Sequence, residues 1–141
     1  MKNRRAGRGW LPRGTRGNQP TDRGSVTIET VIMLPVIFLL MFAALQAGLW
    51  FHARSVALGA AQEGARVASA EQGTGSSGQA AALDFIVDAG GSGVLDGYGV
   101  SGSRGGTEAS FTVTGEAQSV FPGWAPTISQ SATRPVERIT G

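Results

Sequence analysis

Few residues in this 141-residue chain are able to do chemistry, and their spacing limits what they can do. The single histidine, His52, has no second ligand or nucleophile beside it and reads as a polar residue at a membrane boundary. Cysteine is absent, which excludes disulfides, thiolate metal sites and cysteine nucleophiles. Asp84, Asp88 and Asp96 lack the spacing of a metal loop and read as solvated surface charge. The Ser- and Gly-rich stretch 101–106 reads as turn, because neither a Gly-Lys-Ser/Thr nor a helix start follows it. No catalytic constellation is formed, no cofactor or metal site is expected, and an enzyme is unsupported. Glu29 is the one acid in an unusual place, at the mouth of a long uncharged run. A carboxylate drawn into a bilayer costs about 2.5–3.5 kcal/mol at mid-membrane and less near the edge. By position alone, Glu29 is a boundary charge among lipid headgroups.

The elements that must position Glu29 follow from charge and hydropathy. Net charge is only +2, but Lys2, Arg4, Arg5, Arg8, Arg13, Arg16 and Arg23 crowd the N-terminus, where Asp22 is the only acid. After Phe51 acids outnumber bases, so the chain is polarised end to end and unlike a uniformly basic nucleic-acid binder. Residues 1–24 read as a basic disordered leader with too little apolar surface to offset the entropy of ordering. An RNA-binding tail would need repeated RGG units and interleaved aromatics, which the leader lacks, so no nucleic-acid partner is expected.

From Thr30 to Ala53 no residue is charged. A helix of that length rises about 36 Å, enough for a hydrocarbon core of about 30 Å, and helix is the only single-pass structure that satisfies its backbone in lipid. Pro35 is expected near the start of this helix, where a missing amide costs least. Trp50 and Phe51 stand where an aromatic belt would lie, and the basic leader predicts a cytoplasmic N-terminus with the C-terminal part outside. Good helix formers continue to about residue 70, so the long helix is expected over 25–70, its transmembrane part over about 30–53. Ala53, Ala57, Ala61 and Ala65 repeat every four residues, with Val56, Ala60, Gly64 and Ala68 as a second row beside them. Rows of small residues admit another helix at close range, so these rows are the candidate helix-packing surface.

Gln72–Gly78 reads as the core of a flexible linker over 71–78. Beyond it, 79–141 is expected to form a small outer region. Ala80, Leu83, Ile86 and Val87 have helical spacing over Gln79–Ala89, closed by Gly90-Gly91. Phe111 and Val113 alternate with polar residues in a strand over about Glu108–Ala117. Weaker strands are expected at Val94–Val100 and Thr127–Ile139, joined through a turn at Phe121-Pro-Gly-Trp-Ala-Pro126. The fold class is therefore α+β: a long N-terminal helix running into a small Gly-rich head with one short helix and about three antiparallel strands.

Two resemblances add to this reading. Arg23-Gly24-Ser25-Val26-Thr27-Ile28-Glu29 ahead of the apolar run resembles the processing site of type IV pilin precursors. Carried over residue by residue, Gly24 would precede the cut, Ser25 would become the N-terminus and Glu29 the fifth residue, with a prepilin peptidase as a partner. A free α-amino group on a neighbouring subunit would then compensate Glu29 and set axial register.

The segment 23–68 as a whole resembles TadE-like proteins, minor pseudopilins of tight-adherence pilus systems. The features that carry it are Arg23-Gly24, Glu29, Leu34-Pro35 and Gln62-Glu63-Gly64-Ala65-Arg66, with a weaker echo at Pro135-Val136-Glu137-Arg138. Major pilins of these systems usually have tyrosine after the glutamate. Thr30 stands there instead, which argues against a major fibre subunit. The resemblance implies a non-enzymatic protein of the bacterial cell membrane whose partners are the lipid bilayer and other pilin-like or pilus-assembly proteins. An unprocessed single-pass anchor presenting a binding head, or an exported soluble domain with a cleaved signal, are the alternatives.

Overall fold

The computed structural model describes residues 23–137, with side chains from Thr27 onward. The leader expected over 1–24 lies outside the described residues except for Arg23 and Gly24, which are helical backbone rather than disordered, and positions 138–141 lie outside as well. The chain divides into two units, residues 1–35 and 36–141. Within the first, Arg23–Pro35 is helical backbone, and its described apolar side chains stand exposed.

Helix α1 spans Arg23–Ser69, against the 25–70 read from composition. It starts well before the apolar run, so Pro35 falls inside it rather than in its first turn. The missing amide therefore costs an interior hydrogen bond, the one that would reach the Val31 carbonyl.

In the second unit the sheet is an antiparallel meander in the order β1-β2-β3: Leu95–Arg104, Glu108–Ala117 and Thr127–Pro135. Together with helix α2, Gly75–Asp88, it makes the expected α+β head. The central strand β2 buries Ala109, Phe111, Val113, Gly115 and Ala117 on one face, the two-residue period that Phe111 and Val113 announce in the sequence.

Three local expectations are corrected. The stretch 71–78 is not a flexible break throughout. Thr74 caps α2 by accepting from the Ser77 amide at 3.0 Å, while Ser77 Oγ accepts from the Thr74 amide at 2.9 Å. This reciprocal cap starts α2 at Gly75, four residues before the expected Gln79. The buried face of α2 is Gly78, Ala82 and Ile86, whereas Ala80 and Val87, expected on the apolar face, are exposed. Finally, residues 101–104 are strand rather than turn. Gly102 pairs with Phe111, whose ring lies over the space a Cβ would take, so the glycine that suggested a turn makes room for an aromatic.

The core lies between α1 and the head. Ala53, Ala57, Ala60 and Ala61 form one buried cluster with Ala82, Ile86, Leu95, Val113, Ala117 and Ile128. Ala65 and Ala68 form a second with Ala109 and Phe111. Small residues on α1 thus meet large ones on the sheet. The largest fully buried side chains are Phe111, Ile86, Leu95 and Val113, each contributing about 1.5–3 kcal/mol of transfer free energy. The chain end closes the arrangement: the Val136 amide donates to the Thr107 carbonyl at 2.9 Å, and that of Glu137 to Ser69 O at 3.0 Å. The second bond satisfies a carbonyl that the end of α1 leaves open.

Candidate functional site

The sequence-expected packing surface turns out to be occupied by the chain's own head. Ala53, Ala57, Ala61 and Ala65 are each fully buried, as are Ala60 and Ala68 in the neighbouring row. The close approach that small residues permit is used by α2: a Cβ on Gly64 would stand 2.9 Å from the Gly78 carbonyl oxygen, and one on Gly78 would stand 2.6 Å from that of Gly64. A partner helix has no access to these rows while the head is seated, so the rows are not a free contact surface.

What α1 does leave uncovered is its apolar half. Between Ile28 and Leu45, thirteen large apolar side chains are 42–67% exposed. The most hydrophobic window of this helix has a mean hydropathy of 2.5 and no residue buried. Leaving about half of each such side chain in water costs about 1 kcal/mol apiece, on the order of 10 kcal/mol together, so this surface must be covered by something. Thr27–Leu45 rises about 28 Å, close to the thickness of a hydrocarbon core.

The head begins to cover one face of α1 at Gln46, which is only 4% exposed, while Ala47, Gly48 and Phe51 on other faces stay exposed. Its side-chain nitrogen donates to the Gln118 carbonyl at 3.2 Å. Its Oε1 accepts from the Val120 amide at 2.9 Å and the Ser119 hydroxyl at 3.1 Å. One amide side chain thereby pins the β2–β3 loop beside the helix. In the sequence Gln46 stands as the single amide within the uncharged run 30–53, and the 121–126 segment as a turn. A polar group that the run would otherwise exclude was the available signal. Ala43, Gln46, Ala47, Trp50, Phe121, Trp124 and Pro126 line a groove of about 370 Å³ whose walls are almost wholly apolar. Trp124 is 55% exposed and Phe121 lies 6.3 Å from it, ring to ring. One turn beyond, the Arg54 guanidinium stands 5.6 Å over the Trp50 ring, within cation–π range.

Among the described residues the remaining charges pair or stand at least partly at the surface. Glu63 and Arg66 pair at 2.5–2.8 Å across one turn of α1, and the Arg66 hydrogen bond holds the Glu63 carboxyl below its usual range. Asp96 and Glu116 face each other across β1 and β2 beside an open cleft of about 700 Å³. Among the described residues no group of three His, Cys, Asp or Glu is placed to hold a metal. At the other end of α1, Gly24 and Ser25 lie in helical backbone and Glu29 is exposed.

A long apolar helix whose second half seats a small α+β head fits a membrane anchor. Residues 24–66 match the family described as TadE-like protein, the family whose features the segment 23–68 resembles. The match takes in Gly24, Glu29, the uncovered apolar helix and the Gly64 crossing, and stops before α2. No curated protein and no solved structure matches the chain.

Proposed function

We propose that this chain is a non-enzymatic TadE-like minor pilin or pilus-assembly protein of the bacterial cell envelope, contributing to a tight-adherence type pilus or a related secretion apparatus. The carrying observation is the bare apolar half of α1, joined through one continuous helix to a folded head. Such a surface needs lipid before assembly and the apolar helices of neighbouring pilin-like subunits after it. The basic leader sets the N-terminus in the cytoplasm and the head outside, in a single pass.

Processing after Gly24 would leave Ser25 as the N-terminus and Glu29 four residues on. The bond to be cut lies in the first turn of α1, where amides lack intrahelical acceptors, so a prepilin peptidase opens it at little cost. The buried alanine rows then serve to seat the head, and partner contacts fall to Ile28–Leu45 and to Glu29. Glu29→Ala, expressed in place of the native chain, should abolish or strongly reduce surface pili while the protein remains at native level in the membrane fraction. Normal piliation in that variant would refute the register role of Glu29.

A further inference from the structure

We infer that the β2–β3 loop, residues 118–126, is a foot that enters the outer interfacial layer of the bilayer beside α1, with lipid occupying the groove between Trp124, Phe121 and Trp50. This rests on the membrane-anchor reading above and adds a second contact with lipid, made by the head.

Five observations converge on the loop. Its level along the helix is fixed by the three hydrogen bonds of Gln46, the first buried side chain of α1 past the bare run Ile28–Leu45. A core of about 30 Å entered at Thr30, just past Glu29, spans about 20 residues and ends about a turn past Gln46, so the turns up to Arg54 cross the outer interfacial layer and the loop stands at that boundary with them. The loop is also free of charge: no Asp, Glu, Lys or Arg occurs between Glu116 and Arg134. Its tip is aromatic and exposed, with Phe121 at 39% and Trp124 at 55%. Tryptophan beside an apolar surface, with its N–H free to meet water, is the side chain that favours the interface. The groove has apolar walls and continues directly into the bare helix through Ala43 and Ala47, so the lipid that covers the helix covers the groove as well. Lastly, Arg54 lies one turn outside, stacked on Trp50, where a guanidinium meets phosphate headgroups.

The foot gives the head a fixed height over the membrane. Sliding the helix inward would bury Arg54 and His52, and sliding it outward would bring Phe121 and Trp124 into water.

The test uses the full chain in phosphatidylcholine–phosphatidylglycerol vesicles containing lipids brominated at carbons 6,7 or 11,12. In Trp10→Phe/Trp50→Phe, Trp124 is the only tryptophan. In Trp10→Phe/Trp50→Phe/Trp124→Phe with Phe38→Trp, the only tryptophan sits within the span. The expected result is at least two-fold stronger quenching of Trp124 by the 6,7 than by the 11,12 lipid, and strong quenching of the Phe38→Trp reporter by the deeper one. Trp124 quenched by aqueous iodide and not by lipid, with the span reporter quenched, overturns the foot and leaves the anchor standing. Neither reporter quenched by lipid overturns both. Trp124 shielded from lipid and iodide alike overturns the foot in favour of a second protein chain in the groove. Ala125→Cys, the sole thiol in the chain and carrying a nitroxide, reads the same depth by oxygen against nickel accessibility with all tryptophans intact. A water-like ratio there also overturns the foot.

Discussion

Gly64 and Gly59 lie one and a half turns apart on α1, and replacing each by alanine should move stability in opposite directions. In a helix interior alanine is favoured over glycine by about 0.8–1.0 kcal/mol, a gain common to both sites. At Gly64 the added methyl would meet the Gly78 carbonyl oxygen at 2.9 Å, the Ala82 Cβ at 3.1 Å and the Phe111 ring at 3.2 Å. Two of these belong to α2, one of them backbone, so α2 must shift as a unit. Overpacking of this kind costs about 1–3 kcal/mol. The net expectation for Gly64→Ala is a loss of about 1 kcal/mol, and more if α2 cannot shift. At Gly59 the methyl would meet only the far end of the Phe85 ring, at 2.8 Å, and Phe85 is 39% exposed and able to swing into solvent. Gly59→Ala should therefore be neutral, or stabilising by up to about 1 kcal/mol. For a head of this size 1 kcal/mol is about 4–8 °C in Tm. The assay is thermal melting in detergent followed by near-UV circular dichroism, which reads Trp50 and Trp124 in the head rather than the helix content of the apolar half. Equal shifts of the two variants, or a rise in Tm for Gly64→Ala, would refute the account of α1–α2 packing.

Gln46→Ala should leave the Val120 amide and the Gln118 carbonyl without their side-chain partner, at about 1–3 kcal/mol. The specific reading is hydrogen exchange at the Val120 amide, expected to speed up by about ten-fold or more. Unchanged protection would mean that the loop is held by something else. The Glu63–Arg66 pair should give a small pH dependence. Because the folded Glu63 carboxyl is held below its ordinary value, its contribution is complete above about pH 4.5 and is lost as pH falls through the folded value. With Arg66 more than half exposed the effect is small. Melts at pH 6 and pH 3 should therefore differ slightly less in Glu63→Gln than in the native chain. An identical pH dependence in both would remove the pair from the stability account.

Sequence alone was informative wherever a long-range physical demand falls on consecutive residues. The uncharged run, the two-residue period at Phe111 and Val113, and the four-residue rows of alanine all announce their elements. The rows did not announce their partner. Small residues state that something comes close, and only the fold shows that it is Gly78 of the same chain. α2 was misplaced because glycine and serine in 75–78 weigh against helix, while the Thr74–Ser77 cap and the buried crossing outweigh them. Gln46 could not be read at all without its loop, since its three partners lie more than seventy residues away in the chain.

The central claim, a pilin-like subunit stored in the membrane and processed at Gly24, meets its most direct test in N-terminal sequencing of the protein purified from native membranes. The account predicts a chain that begins at Ser25, with Glu29 as its fifth residue. A chain that begins at Met1 would contradict processing and leave an unprocessed anchor, and one that begins beyond Ala44 would contradict the membrane-held helix itself.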